Sequence, residues 1–346
     1  MAEAIISPGV FTRENDISFT QPAAVEAGAA IIGPAVKGPV EKPTLVTSYS
    51  DYVRTFGATF ESASTSYEFM TSIAVKNYFS QGGNSVLVTR VVNGTFDPAD
   101  STHVSASDNA SIQPFTLETL GEGTIFNNST ALTDPGAENS DGSLVSGSAD
   151  NLRWEIPSQN TSSGQFALFI RRGNDVNNQK AILESYNNLS MDPTAPNYVA
   201  RAIGDTYYTV EQDGVDYYVK TNGNYPNRSA YVRVSSVLTP TPQYFDNNGA
   251  AKSSFFSSLP IVGSGSFQGG NGVNIENNDA KFNENIDANN IQGISANDYT
   301  QSLNLLTNAD DYQFNVISAP GLIHSLHASQ VNQMVNLAQG RTDCMA

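Results

Sequence analysis

The chain has 346 residues, 39% hydrophobic and 10% aromatic, which is enough to build the cores of roughly two or three globular domains. Its 34 acidic and 17 basic residues give a formal net charge of −17, and because the basic residues do not cluster, direct nucleic-acid binding is not expected. A single cysteine, Cys344, excludes an intrachain disulfide and a thiolate metal cage, and neither a signal peptide nor a membrane-spanning apolar run is expected.

The first 20 residues are predicted to form an extended arm. The chain as a whole is rich in Asn, Ser, Thr and Gly and poor in Lys and Glu, which favours strands and turns over helices. Residues 1–20 lack apolar periodicity, and Pro8-Gly9 places a turn or an extended kink after Ile5 and Ile6. We therefore predict that this arm has no fold of its own.

A buried strand and a helix are predicted after the arm. The segment "AVEAGAAIIG", which ends at Gly33, is small and apolar, as buried strands are. The β-rich "TLVTS" follows it. A helix comes next, with Ser50 as its expected N-cap and Gly57 as its C-terminal stop.

A second helix is predicted from Ser64 to Phe79, because apolar residues recur there at spacings of three and four. The predicted core-facing stripe consists of Tyr67, Met70, Ile73, Ala74, Asn77 and Tyr78. Gly82 and Gly83 then end this helix, since a sharp reversal into a strand requires a residue that tolerates a positive φ.

The stretch "SVLVTRV" after these glycines is predicted to be an interior strand, because both of its faces are largely apolar. Arg90 lies near its end. A structural arginine and an arginine that contacts a ligand are both compatible with this position. The structural role is favoured, because buried charged groups usually find a carboxylate.

A β-rich domain is predicted for residues 96–239. From Asn93 the composition becomes polar and rich in turn residues, and short β-like runs follow, separated by Gly, Asn, Asp and Pro clusters. The runs are "FTLETL", "NLRWEI", "QFALFIRR", "DTYYTV", "VDYYVKT" and "AYVRVSSV". One short helix is expected over "NQKAILESYNNL", and long loops are expected from "PTPQYFDNN" to "NNIQGIS".

The last part of the chain is predicted to return to alternating helices and strands. A helix over "ANDYTQSLNLLTNADD" precedes a strand over "YQFNVISAPG". The helix that follows, "HASQVNQMVNLAQGR", is expected to bury one face, formed by Val331, Met334, Val335 and Ala338. The final "GRTDCMA" is typical of the start of a buried strand, so we expect the chain to be the N-terminal part of a longer protein.

These elements predict a mixed α+β fold with three parts. Residues 1–20 form the extended arm, residues 21–95 and 240–346 form one discontinuous α/β domain, and residues 96–239 form an inserted β-rich domain.

Residues with catalytic or metal-binding chemistry are sparse. His324 and His327 could share a helical face as metal ligands, but no third ligand adjoins them, so solvated or locally bonded histidines are favoured. Asp310-Asp311 is more typical of a solvated turn than of a cation site or of acid/base chemistry. Trp154, the only tryptophan, is expected to anchor a core.

The Gly-rich stretch "GSGSFQGGNGVN" does not match a phosphate-binding loop. The dinucleotide pattern requires glycine where the sequence has Gln268, and no Lys-Ser or Lys-Thr pair closes a Walker-type loop. A flexible loop is favoured over a single calcium-binding unit, because such units work in stacked arrays. We therefore expect no enzymatic activity, no cofactor and no metal.

Taken together, several blocks of the sequence resemble the tail sheath proteins of contractile-tailed bacteriophages, the T-even-like myoviruses above all. The blocks are "SPGVFTREND", "FGATF", "YFSQGGNSVLVTRV", "FALFIRRGND", "ESYNNLSMDPTAPNYV", "VISAPG" and "LAQGRTDCMA". They occur in the order of that family and span almost the whole chain. No single block is decisive, and their joint order makes the resemblance specific.

The resemblance implies a sheath core domain that faces an inner tube, a protruding β-rich domain and terminal arms that add strands to neighbouring subunits. In this sequence the arm residues are Ile5, Ile6, Pro8, Gly9, Val10 and Phe11. The structural residues of the core are Gly82 and Gly83 at the turn and Arg90 in the strand. The resemblance also implies a C-terminal domain that carries inter-subunit contacts, and no block of this sequence is expected to correspond to it.

The implied function is structural. Copies of the subunit would form a helical polymer of rings around the tail tube and contract to drive the tube through the host envelope, delivering the genome. The implied partners are other sheath subunits, the tail tube protein, the baseplate and the tail terminator proteins, with no direct nucleic acid and no membrane insertion. Assembly would take place in the host cytoplasm, and the mature location would be the virion tail.

Two other classes of function remain open. A β-rich glycan-binding or adhesin-like surface module would share the acidic, Asn-rich composition of residues 96–239. A hydrolase with an unrecognised site is the third class, although its candidate groups are few.

Overall fold

The computed structural model describes residues 25–62, 65–101, 113–123, 152–173, 175–214, 216–270 and 284–346. The strands in chain order are β1 (Val25–Gly33), β2 (Thr44–Val46), β3 (Thr59–Ser62), β4 (Thr65–Glu68), β5 (Val86–Arg90), β6 (Pro98–Ser101), β7 (Phe115–Glu122), β8 (Leu152–Ile156), β9 (Gln159–Asn160), β10 (Gln165–Arg172), β11 (Ile182–Ser190), β12 (Tyr207–Asp213), β13 (Asp216–Asn222), β14 (Val232–Val237), β15 (Gly263–Gln268) and β16 (Tyr312–Ser318). The α-helices are α1 (Tyr49–Phe56), α2 (Met70–Ser80), α3 (Val199–Ile203), α4 (Thr300–Leu305) and α5 (Ala328–Arg341). Two short 3-10 helices cover Ser253–Ser258 and Ala296–Tyr299.

A four-stranded sheet brings the two ends of the described chain together. Its strand order is β16-β1-β5-β2, with β1 parallel to both β16 and β5 and with β2 antiparallel to β5. Every residue of β5 is buried, as predicted for an interior strand. Because successive side chains of a strand point to opposite faces, β1 and β5 supply two apolar layers.

Helices cover both faces of this sheet. On one face α1 and α2 pack on a cluster that includes Ala29, Val86 and Val88. On the other face α4 and α5 pack on a cluster that includes Leu87 and Phe314. This part of the molecule is therefore a three-layer α/β arrangement.

The ends of α1 and α2 differ from the sequence prediction. The N-cap of α1 is Ser48 rather than Ser50, because Ser48 is extended (φ −157°) and its hydroxyl accepts the amide N–H of Asp51 at 3.1 Å. Gly57 ends α1 as predicted, with a φ of 72°. The predicted start of the second helix is wrong: Thr65–Glu68 pairs with β3 as a hairpin strand, and α2 begins only at Met70.

The buried face of α2 also differs from the predicted stripe. Its fully buried residues are Thr71, Ser72 and Val75, whereas Ile73 is 42% exposed. In α5 the buried residues are Gln330 and Leu337, and Val335 of the predicted stripe is 49% exposed. Polar residues occupy part of both buried faces, so apolar spacing alone misplaces them.

A second, larger sheet is entirely antiparallel. Its strand order is β11-β10-β8-β15-β6-β7-β14, and β9 pairs with β10 beside this path. Helix α3 contacts both edge strands, β11 and β14, so the sheet curls around its core. That core contains Trp154, which is 5% exposed and so buried as predicted.

Two segments of the larger sheet correct the prediction. The expected helix over "NQKAILESYNNL" is wrong, because Ile182–Ser190 pairs with β10 as an edge strand whose register shifts twice. Residues Gly263–Gln268, expected in a loop of the α/β domain, form β15 between β8 and β6. A side chain at Gly265 would overlap the indole of Trp154, and Phe267 is fully buried in the larger core, which explains this placement.

The strands of the two sheets come from different regions of the sequence, and β3–β4 and β12–β13 form separate hairpins. In the described ranges, the four-stranded sheet takes its strands from residues 25–90 and 312–318, and the larger sheet takes its strands from residues 98–268. The predicted boundary at residue 240 therefore lies too early, since β15 belongs to the larger sheet.

Candidate functional site at the junction of the two sheets

Arg90 connects the two sheets. It is the last residue of β5 and is only 2% exposed. Its Nη1 donates to the carbonyl oxygen of Gly38 at 2.6 Å and to that of Glu122, at the end of β7, at 2.9 Å. Since Glu122 belongs to the larger sheet, one buried guanidinium fixes the end of β5 to both neighbouring segments.

Glu122 completes this clamp with its carboxylate. Its Oε2 accepts the amide N–H of Val40 at 2.9 Å, and the amide N–H of Glu41 donates to the carbonyl of Arg90 at 3.0 Å. Burial lowers the pKa of Arg90 to about 10, and the charge of Glu122 opposes this shift. Burial raises the pKa of Glu122, opposed by the Val40 amide and by Arg90. The structure thus places a carboxylate near Arg90, although the hydrogen bonds of the guanidinium go to carbonyl oxygens.

Glu41 and Lys42 lie in the segment held by this clamp. Glu41 has a φ of 52°, which is rare for a residue other than glycine. Burial and the charges of Asp298 and Glu122 raise its pKa to about 7. Burial lowers the pKa of Lys42 to about 8, with the charge of Glu122 acting in the opposite direction. The junction therefore holds ionisable groups that titrate near neutral pH.

A hairpin formed by β12 and β13 makes a second connection between the two units. The ammonium group of Lys42 lies 3.2 Å from the ring centroid of Tyr208 in β12, a cation–π contact. Strand β13 packs against α4, a helix of the α/β unit. Two separate contacts thus restrict how the two units can rotate relative to each other.

The glycine pair after α2 sets the direction of β5. Gly82 has a φ of 92°, and its amide N–H donates to the carbonyl of Phe79 at 3.1 Å. Gly83 lies against the ring of Tyr78, whose hydroxyl donates to the carbonyl of Ser85 at 3.0 Å. A side chain at Gly83 would overlap that ring. The two glycines therefore serve different needs: a left-handed backbone at Gly82 and a close approach at Gly83.

The C-terminal residues extend the four-stranded sheet. Met345 forms a parallel bridge with Val316 of β16. Its amide N–H donates to Asn315 O at 2.9 Å, and the amide N–H of Ile317 donates to Met345 O at 2.8 Å. The edge of β16 thus accepts an extended segment, but the predicted buried strand is not formed, because the pairing is a single bridge and Met345 is 70% exposed.

The histidines do not form a pair. His327 is 2% exposed and precedes α5, so it shares no helical face with the exposed His324. The ring of His327 accepts the Ile323 amide N–H on Nδ1 at 3.0 Å, and its Nε2 lies 2.8 Å from Asp287 O. Because a carbonyl oxygen only accepts, Nε2 is the donor of this contact and Nδ1 is the acceptor of the Ile323 amide.

No group of three or more His, Cys, Asp or Glu side chains within the described ranges could hold a metal ion. Asp311 accepts a hydrogen bond from the side chain of Asn308 at 2.9 Å in the turn after α4, and burial, with the charge of Asp310, raises its pKa. The arm residues Ile5, Ile6, Pro8, Gly9, Val10 and Phe11 and the glycine stretch from residue 271 lie outside the described residues.

Sequence reasoning missed the partners of Arg90 at this junction. Glu122 is 32 positions away, and no local pattern connects the two residues. The sequence does contain one hint of the junction. The charged pair Glu41-Lys42 lies between two prolines and interrupts a largely apolar stretch.

Comparisons with known proteins find similar solved structures, two of which are described below. No protein-family model and no curated protein matches the sequence. The fold is similar to a sheath tail protein from Listeria innocua at 12% identity and a TM-score of 0.43, over 91% of this chain and 46% of that one. A sheath tail protein from Desulfitobacterium hafniense is similar at 12% identity and a TM-score of 0.37, over 97% of this chain and 51% of that one. The chain thus spans about half the length of each of these structures. Among the described helices, none has the length and apolar character needed to cross a membrane.

Proposed function

We propose that this protein is a structural subunit of a contractile bacteriophage tail sheath of the T-even-like type. Copies polymerise helically around the tail tube, and contraction of the polymer drives the tube through the host envelope for genome delivery. The observation that carries the proposal is the series of sequence blocks, from "SPGVFTREND" to "LAQGRTDCMA", in the order of the sheath family.

The edge of the four-stranded sheet is compatible with this role. Met345 shows that β16 accepts an extended segment through backbone hydrogen bonds. An arm from a neighbouring subunit would use the same chemistry, since strand addition satisfies the unpaired groups of a sheet edge. In the proposal, the N-terminal arm with Ile5, Ile6, Val10 and Phe11 provides that link.

Contraction is proposed to be a change between two packings of the same subunits. The stored free energy resides in the difference between the two lattices, so the proposal requires no catalytic site and no cofactor. The fixed junction at Arg90 would let each subunit move as a unit while contacts between subunits change. The proposed partners are other sheath subunits, the tail tube protein, the baseplate and the tail terminator, in the virion tail.

The glycan-binding alternative would use exposed aromatic rings, and the exposed pair Tyr207 and Tyr208 is the natural candidate. Both rings already carry cations. Lys42 lies over Tyr208, and the guanidinium of Arg233 lies 4.7 Å from the ring centroid of Tyr207. These contacts compete with the stacking of a sugar on the same faces.

Sedimentation velocity over a hundredfold range of protein concentration, combined with a glycan array, tests the proposal. We expect large, concentration-dependent assemblies and no glycan binding. A monomer at every concentration that binds a defined glycan would overturn the sheath assignment and support the alternative.

A further inference from the structure

The outer face of α4 and α5 is almost free of charge. The two helices contain one charged residue, Arg341, whose guanidinium binds the carbonyls of Leu306 and Tyr312 and the carboxylate of Asp343. The groove between the helices is otherwise lined by neutral side chains, among them Asn304, Thr307, Ser329, Asn332, Gln333 and Asn336. A protein with a net charge of −17 thus presents a helical surface without the charged groups that solvated helices usually carry.

This neutral groove has an acidic rim. Ala309 lines the groove, and the next residue, Asp310, is exposed. Depletion of charge at the centre, with charged groups at the rim, is the composition typical of protein–protein interfaces.

The exposed face of α2 presents the complementary charge. Exposed residues of α2 recur at helical spacing: Ile73, Lys76, Asn77 and Ser80. Lys76 is the one charged residue of this helix, and Ile73 is the exposed aliphatic residue beside it. The α2 face thus carries one exposed cation among neutral polar residues, and the α4–α5 groove has the exposed carboxylate of Asp310 at its rim, so the two charges have opposite signs.

We infer that the α2 face of one copy docks on the α4–α5 face of a second copy, with Lys76 of the first pairing with Asp310 of the second. Because the two faces lie on opposite sides of one sheet, the contact is heterologous. A heterologous contact that does not close generates an open polymer. The inference names the contacting faces for the proposed sheath function and rests on it.

The choice of a second copy follows from charge. Two chains of −17 repel each other wherever carboxylates meet, and α2, α4 and α5 are surfaces where few carboxylates lie. At the proposed contact the one cation of α2 faces an aspartate. Two α2 faces would repel each other, as would two groove rims with Asp310, so the charges also fix how one copy is oriented relative to the next.

A charge-reversal cycle tests the inference. The variants are Lys76→Glu, Asp310→Lys and the double variant, which keeps the net charge of the wild type. Arg228→Glu is the matched control: this exposed arginine lies in the larger unit, and its change in charge equals that of Lys76→Glu. Assembly is measured by sedimentation, with circular dichroism and thermal unfolding to verify that each variant folds.

We expect each single variant to raise the protein concentration needed for assembly at least about tenfold, the double variant to recover most of this loss, and Arg228→Glu to behave as wild type. If the wild type assembles but the double variant does not recover, or if the single variants match the control, the inference is wrong while the sheath proposal stands. A wild type that never assembles would overturn both.

Discussion

Arg90 shows how one buried charge can fix two structural units relative to each other. Its guanidinium is nearly inaccessible to water and binds two backbone carbonyls, one on each side of the junction. The carboxylate of Glu122 compensates the charge from nearby while it binds Val40. Such an arrangement contributes little net stability, but loss of one member leaves the other groups buried and uncompensated.

Arg90→Met is therefore expected to destabilise the protein by about 3–5 kcal/mol. The change leaves two carbonyls without their donor and Glu122 without its counter-charge. Urea unfolding measures the loss, with Arg54→Met as control, because Arg54 is an exposed surface residue whose ion pair with Asp51 is worth at most about 1 kcal/mol. Equal unfolding midpoints for the two variants would show that the clamp has no structural role.

Glu41 predicts a dependence of stability on pH. Its pKa is about 7 in the folded protein and near the ordinary 4.5 when unfolded, so the folded state prefers the protonated form. The stabilising effect of that proton is complete below pH 4.5 and is lost as the pH rises through 7. Chemical unfolding between pH 4.5 and 7.5 should show a fall in stability that is smaller in Glu41→Gln.

Part of the dependence of stability on pH should persist in Glu41→Gln, because burial also raises the pKa of Glu122 and of Asp100. Identical slopes for wild type and variant would contradict the assigned environment of Glu41.

Gly82 and Gly83 should both resist substitution, for different reasons. Gly82→Val forces a β-branched residue to a φ of 92°, and Gly83→Val drives a side chain into the ring of Tyr78. We expect each to cost about 1 kcal/mol or more, measured by thermal unfolding.

A second substitution separates the two mechanisms. In a Tyr78→Ala background the cost of Gly83→Val should fall, whereas that of Gly82→Val should not change. Gly340, which has open space around it, is the control, and Gly340→Ala should be neutral or slightly stabilising. If both valine variants were as stable as the wild type, glycine would not be required at either position.

At the scale of elements, the backbone pairing of Met345 with the edge of β16 can be tested directly. Met345→Pro removes the amide that donates to Asn315 O and distorts the bond from Ile317 to Met345 O. Each hydrogen bond is worth about 1 kcal/mol, so hydrogen exchange of the Ile317 amide should accelerate at least about fivefold. Met345→Ala keeps both backbone bonds and should exchange as wild type; equal acceleration in both variants would mean that side-chain packing holds the segment.

Elements whose residues alternate or pair locally could be predicted from the sequence. The interior strand Val86–Arg90 and the hairpin strands β12 and β13 were predicted because their β-branched and aromatic residues favour strands whatever surrounds them. The segment "NQKAILESYNNL" contains good helix formers such as Gln179, Lys180 and Ala181, which favours the predicted helix, and the pairing of Ile182–Ser190 with β10 overrides that preference. Gly263–Gln268 shows no apolar alternation, and strands on both sides stabilise it.

The candidate site was predictable only in part. The burial of Arg90 and the positive φ at the glycine pair follow from local patterns, since both depend on a helix that reverses into a buried strand. The contacts with Gly38, Glu122 and Tyr208 depend on how two separately built units meet. Single-sequence patterns carry no information on such long-range contacts.

At the scale of the whole molecule, the arm is the part most directly linked to the proposed assembly. Deletion of residues 1–20 should leave a folded subunit but abolish ordered sheath, because strand addition requires several backbone hydrogen bonds, each worth only about 1 kcal/mol. Replacement of the arm by a Gly/Ser segment of equal length is the control for length alone and should fail in the same way. Normal-length sheaths from either variant, seen by electron microscopy, would rule out a linking role.

Negative-stain electron microscopy of the purified protein, at concentrations where sedimentation reports assembly, tests the central claim most directly. A sheath subunit is predicted to form hollow helical tubes of uniform diameter, because a heterologous contact repeats the same displacement at every step. Particles that remain monomeric, or that close into small symmetric oligomers under all conditions, would contradict the assignment.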